Sequence, residues 1–131
     1  MRKSVKSMVD DAMSVITTYS VEEAMELHGR DDVQFVDLRD VRELEREGMI
    51  PGAFHAPRGM LEFWVDPESP YHKPVFGQDK RFVLFCAAGW RSALATRTLQ
   101  EMGLYKVAHI DGGFTAWKAA GAPVADKPKR G

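Results

Sequence analysis

The chain has one cysteine, Cys86, and the seven residues that begin with it are Cys86-Ala87-Ala88-Gly89-Trp90-Arg91-Ser92. A lone cysteine is most often a small buried hydrophobe. It forms no intramolecular disulfide and no zinc site of the paired-cysteine kind. The residues after Cys86 point to a more reactive role. Ala87, Ala88 and Gly89 are small enough for backbone N–H groups to turn towards one point, here the sulfur. If a helix starts just after them, its N-terminus adds partial positive charge. Both effects stabilise a thiolate, and the same cradle suits a persulfide or an oxyanion. Arg91 adds a planar cationic fork matched to sulfonate, sulfate or phosphate oxygens. A cation is mildly disfavoured at a helix start, so its placement points to a counter-ion, an anionic substrate among the candidates. Trp90 reads equally as a wall of the site or as a cap over the core.

The surrounding elements explain why Cys86 would sit at a site. Residues 81–86, Arg-Phe-Val-Leu-Phe-Cys, have a continuous apolar centre. That is the pattern of a parallel strand covered on both faces. A helix is expected from about 91 to 102, with Ala95, Leu99 and Met102 inward and Gly103 as its stop. Further strands are expected at 33–38 and 107–110, and a turn-and-strand segment at 48–53. Ser20 with Glu23, and Asp40 with Glu43, are capping boxes that open two more helices. Val21, Ala24, Met25 and His28 share a face of the first, with His28 as a helix-end residue. A short helix fits 60–65, and 112–120 reads as another, ended by Gly121 and Pro123. Met8, Ala12, Val15 and Ile16 sit at helical spacing near the N-terminus. Three prolines and a glycine between 66 and 80 read as a long surface loop. Strands alternating with helices make the fold α/β: a central, mostly parallel sheet with helices on both faces. Asp37, Cys86 and Asp111 then end three strands on one edge of the sheet, where such folds bind ligands.

The 131 residues suit one domain, and 44% apolar with 28% charged residues is a globular composition. A formal net charge of −1 supplies no field for nucleic acid or an acidic membrane surface. The basic start, Met1 to Lys6, is followed by Asp10 and Asp11 rather than by an apolar stretch. No signal peptide or membrane span is therefore expected, and a cytoplasmic protein in a reducing compartment would suit a working thiol.

Four segments, in order, resemble the single-domain rhodaneses, thiosulfate sulfurtransferase-like proteins. These are Val36-Asp37-Leu38-Arg39, Gly48-Met49-Ile50-Pro51-Gly52-Ala53, the Cys86 to Ser92 loop, and Asp111-Gly112-Gly113-Phe114 with Trp117, Gly121 and Pro123. The resemblance spans about 17–124. It implies a rhodanese-like domain over 17–125, an N-terminal extension over 1–16 and a frayed basic tail over 126–131. Met49 stands where the family usually has His, a position taken as structural. The long segment at 62–80 exceeds the minimal pattern. The resemblance further implies Cys86 as the catalytic nucleophile, with Ala87, Ala88, Gly89, Trp90, Arg91 and Ser92 binding substrate. Asp37 and Arg39 are implied as a structural ion pair, Asp111 as a supporting residue and Trp117 as a core anchor. No metal and no organic cofactor are implied.

The activity so implied is ping-pong sulfur transfer. A thiosulfate-like anion delivers sulfane sulfur to Cys86, and cyanide, a thiol or a protein acceptor removes it. Competing readings are a non-enzymatic persulfide carrier or interaction module, and a phosphatase or arsenate reductase. A phosphate cradle of the tyrosine-phosphatase kind needs five residues between Cys and Arg, whereas four separate Cys86 from Arg91. A papain-like hydrolase would need a His beside the thiol. His55, His72 and His109 read better as a turn, a loop and a packed strand residue.

Overall fold

Residues 82–85 are apolar on both sides, so the strand they form lies at the centre of the molecule. A computed structural model describes residues 1–128. Five strands, β1 (Thr17–Tyr19), β2 (Val33–Asp37), β3 (Phe54–His55), β4 (Arg81–Phe85) and β5 (Val107–Ile110), form one sheet in the order β1-β5-β4-β2-β3. Every pairing between these strands is parallel. Successive side chains of β4 point to opposite faces. Phe82 and Leu84 join Val36, Leu61, Phe76 and Leu99 on one face. Val83 and Phe85 join Phe35, Ile50, Phe114 and Trp117 on the other.

Helices cover both faces. On the Leu84 face lie α4 (Leu61–Val65) and α5 (Trp90–Glu101); on the Phe85 face lie α2 (Val21–Leu27) and α6 (Gly113–Ala119). Both capping boxes form as the sequence predicts, opening α2 at Ser20 and α3 (Val41–Glu47) at Asp40. Helix α1 (Val5–Met13) packs on α5, with Val9 and Ala12 against Ala93.

Several expectations need correction. The 66–80 segment is not a simple surface loop: a 3-10 turn at Pro74–Gly77 drives Phe76 into the core against Phe54 and Phe82. Its prolines hide an anchor that periodicity does not reveal. Met102 lies at the C-cap of α5 and is 42% exposed, because the turn ends before it faces inward. Met8, Val15 and Met25 are also exposed; Val9 and Ala12 form the buried stripe of α1. The strand expected at 48–53 falls later, at Phe54–His55, and Met49 instead makes an isolated antiparallel bridge with Ala125. Strand β1 is missed by the sequence reading: it is too short to show a period, although Thr17-Thr18-Tyr19 after Val15-Ile16 has the β-branched and aromatic composition of a strand. Of the tail over 126–131, residues 129–131 lie outside the described residues.

Candidate active site

Strand β4 delivers Cys86 to the C-terminal edge of the sheet, and Gly89 at the N-cap of α5 turns the chain back over it. Gly89 has φ 115°, a left-handed conformation open to glycine and strained for other residues. That turn aims two backbone donors at one atom: Gly89 N–H and Ser92 N–H donate to Cys86 Sγ over 3.2 and 3.4 Å. The Ser92 hydroxyl lies 3.6 Å from the same sulfur. Cys86 is 1% exposed, so these donors act where water competes little.

The outer side of the loop is held by α6. Phe114 N–H donates to the Cys86 carbonyl over 2.8 Å and Thr115 N–H to that of Ala87 over 3.0 Å. Such close approach requires Gly113: a Cβ there would stand 2.4 Å from the Cys86 oxygen. The Asp111-Gly112-Gly113 run therefore docks the N-terminus of one helix onto the loop that begins the other. Asp111 is exposed, and its N–H donates to Tyr19 O over 2.8 Å. Trp117 is fully buried, with its indole N–H on Pro123 O at 2.8 Å.

Asp37 and Arg39 form a buried pair. The Arg39 guanidinium donates to both Asp37 oxygens over 3.0 and 2.8 Å and to Gly48 O over 2.9 Å, and it stacks 4.0 Å from the Phe114 ring centroid. It ties the ends of β2, α3 and α6 together and makes no hydrogen bond to Cys86.

Arg91 has a counter-ion inside the chain. Glu43 accepts both arms of its fork over 2.9 and 3.0 Å. That bond holds the Glu43 carboxyl below the usual carboxylate range and raises Arg91, with the Cys86 sulfur adding to the latter. Trp90 is 50% exposed and packs over no core cluster. With Ala88, Gly89, Met13, His109 and Asp111 it lines a cleft of about 220 Å³ on one side of the loop. A cleft of about 500 Å³ on the other side is lined by Arg39, Glu43, Ala87, Phe114, Thr115 and Lys118 among others.

His28 caps the end of α2 and His109 is packed on its strand, as the sequence reading has them, and the structure adds their partners. His28 Nε2 meets Pro51 O at 2.7 Å and His55 Nε2 meets Arg39 O at 2.6 Å, so both are tied to backbone. His109 is packed, as expected of its strand, but its Nδ1 lies 2.9 Å from Ser92 Oγ. Burial depresses its pKa to about 4, against a smaller opposing pull from Asp111. Strand parity carries the signal for this contact: His109 pairs with Leu84, which shares a sheet face with Cys86 two residues on. Among the described residues, no group of three or more His, Cys, Asp or Glu side chains is arranged to hold a metal. None of their helices is long and apolar enough to cross a membrane.

Comparison with known proteins agrees with this geometry. A rhodanese-like domain matches residues 20–120. The thiosulfate sulfurtransferase GlpE of Shewanella oneidensis is 31% identical over 110 residues, 84% of this chain and the whole of that protein. Among solved structures, a protein of unknown function from Rhodopseudomonas palustris, described as "Possible Tyrosine Phosphatase", is 56% identical, with TM-score 0.93 over 95% of this chain and 96% of its own. The polysulfide-sulfur transferase homodimer of Wolinella succinogenes is 28% identical, with TM-score 0.70 over 93% and 87%. With its parallel sheet, its strand-end cysteine and a match over most of its length, the chain belongs to the rhodanese-like domain family.

Proposed function

We propose that the protein is a sulfurtransferase that takes sulfane sulfur from thiosulfate, or a similar anionic donor, onto Cys86. The observation that carries this reading is the pair of amides, Gly89 N–H and Ser92 N–H, converging on a buried sulfur at the start of α5. In the first half-reaction the Cys86 thiolate attacks the outer sulfur of thiosulfate. A new S–S bond forms, the S–S bond of the donor breaks, and sulfite leaves with the electron pair. Sulfite is a stable anion, so no general acid is required at the leaving group. In the second half-reaction cyanide or a thiolate attacks the outer persulfide sulfur, and Cys86 leaves as a thiolate. The loop amides stabilise negative charge on sulfur in both halves. Residues 87–92 form the donor site, with the Arg91–Glu43 pair at its mouth. Asp37, Arg39, Asp111 and Trp117 hold the scaffold. A reducing compartment such as the cytoplasm keeps the thiol available.

A tyrosine-phosphatase reading has one observation in its favour, the description carried by the Rhodopseudomonas protein. Against it, four residues rather than five separate Cys86 from Arg91, and the Arg91 fork is already filled by Glu43.

The test is intact-protein mass spectrometry after thiosulfate treatment, with Cys86→Ala as control and a cyanide chase. The expected result is a gain of one sulfur on the wild type alone, removed by cyanide, and no hydrolysis of aryl phosphates. A folded, reduced protein that gains no sulfur overturns thiosulfate as donor. A sulfur that cyanide does not remove but a protein thiol does would make the chain a persulfide carrier.

A further inference from the structure

Directly behind Cys86 lies a buried polar chain that the transfer chemistry above does not use. Ser92 Oγ has three polar neighbours: Cys86 Sγ at 3.6 Å, Gly89 O at 3.2 Å and His109 Nδ1 at 2.9 Å. On the far side of the ring, His109 Nε2 meets Thr18 Oγ1 at 3.1 Å and Met13 Sδ at 3.2 Å. Ser92 and His109 are buried, and the chain joins α5, β5, β1 and α1.

A serine hydroxyl has one hydrogen, so its neighbours compete for it. Gly89 O can only accept. Were Nδ1 bare, it too would only accept, and two acceptors would draw the hydrogen away from sulfur. If Nδ1 carries the hydrogen, it donates to Ser92 Oγ. The serine hydrogen then chooses between a neutral carbonyl and the sulfur, and a charged sulfur is the stronger acceptor. Nε2 is then left to accept from the Thr18 hydroxyl at 3.1 Å, a nearer and stronger acceptor for that hydrogen than Met13 Sδ at 3.8 Å. The ring is neutral near pH 7, since burial depresses its pKa to about 4, so it has one hydrogen to place. The charged groups facing it are Asp10 on α1 and Asp111 after β5.

We propose that His109 is a positioning residue: it donates from Nδ1 to Ser92 Oγ and so commits the Ser92 hydroxyl to donate to Cys86 sulfur whenever that sulfur is charged. Donors then run in one direction, from Thr18 through His109 and Ser92 to the sulfur. The thiolate gains a third donor besides the two amides. This role rests on Cys86 as the reactive thiol but not on any particular sulfur donor.

Because Cys86 is the only cysteine, thiolate absorbance at 240 nm reports it alone. The experiment titrates that absorbance below pH 9 in the full chain, with thermal melts to establish folding. Removing one hydrogen bond to a charged sulfur should raise the midpoint by about one pH unit. Ser92→Ala and His109→Phe should each do so, and the double variant should move no further than Ser92→Ala. His109→Asn, whose amide N–H stands where Nδ1 stood, should restore most of the shift. His109→Gln, which places its amide at the Nε2 end, should not. If His109→Phe does not fold, the Asn and Gln pair carries the test. Equal midpoints for Asn and Gln, or a His109 effect that persists in the Ser92→Ala background, overturn the proposal. The readout needs no transfer activity, so failure of the thiosulfate reading would leave it standing.

Discussion

Two buried polar clusters lie on opposite faces of the sheet, one on each side of Cys86, and they solve different problems. On the Phe85 face, Asp37 and Arg39 form an ion pair whose guanidinium also donates to Gly48 O and stacks on Phe114. On the Leu84 face, Ser92, His109 and Thr18 form a chain that ends at the sulfur. The first is charged and makes no hydrogen bond to Cys86. The second is neutral and ends at the Cys86 sulfur. A hydroxyl donor can rotate to follow the charge on the sulfur, which a fixed ion pair cannot do. The ion pair is therefore suited to hold strand ends and the hydroxyl chain to serve the thiol.

Breaking the charged cluster should produce the largest effect. Arg39→Leu leaves the Asp37 carboxylate buried without its partner, at a cost of about 3–5 kcal/mol in stability. Replacing both residues by leucine removes the stranded charge and should recover much of that loss, because a well-packed apolar pair often matches a buried ion pair. Chemical denaturation of the single and double variants measures both. The folded double variant should still load one sulfur on Cys86; failure to do so would mean that the pair acts on the chemistry and the contrast between the clusters is wrong.

Acid should separate the clusters next. His109 has its folded pKa lowered from 6.5 to about 4. The unfolded chain therefore binds a proton in that window that the folded chain refuses, and stability falls as pH drops from about 6.5 to 4. The full effect is about 3 kcal/mol. It should be absent from His109→Phe, which has nothing to protonate. Melting temperatures across that range for the two proteins check it. Parallel curves would show that other groups set the acid limit.

The same contrast marks what the sequence makes legible. The cysteine loop, both capping boxes and the β4 core can be read locally, because each is a run of neighbours in the chain with its own chemistry. The Asp37–Arg39 pair also lies within one short segment, yet only the family resemblance implies it. Ser92 with His109 is 17 residues apart and Glu43 with Arg91 is 48 apart, and neither pairing has a local signature. The first depends on the register of β4 on β5, the second on the approach of α3 to α5. Phe76 escapes a sequence reading for a related reason: the prolines around it end periodicity, though a 3-10 turn can still anchor an aromatic ring. Gly113 is legible as a turn residue, but that its missing Cβ makes room for the Cys86 carbonyl depends on α6 folding back over the loop.

The third polar pair, Glu43 with Arg91, lies at the mouth of the site rather than behind it, and it should give the smallest change in stability. Both side chains are part-exposed, so Glu43→Gln should cost about 1 kcal/mol or less. Glutamine keeps an oxygen for the Asp40 N–H of the capping box, and α3 should remain intact. What changes is charge: Arg91 loses its counter-ion and presents an uncompensated fork beside the loop. With thiosulfate as donor, KM should fall by about two- to threefold at low salt, and the gain should fade as salt screens the exposed cation. Arg91→Gln should move KM the other way. Steady-state kinetics at two ionic strengths decide it. If Glu43→Gln raises KM instead, the carboxylate is required to hold the fork in place, and the mouth of the site is then as tightly ordered as the clusters behind it.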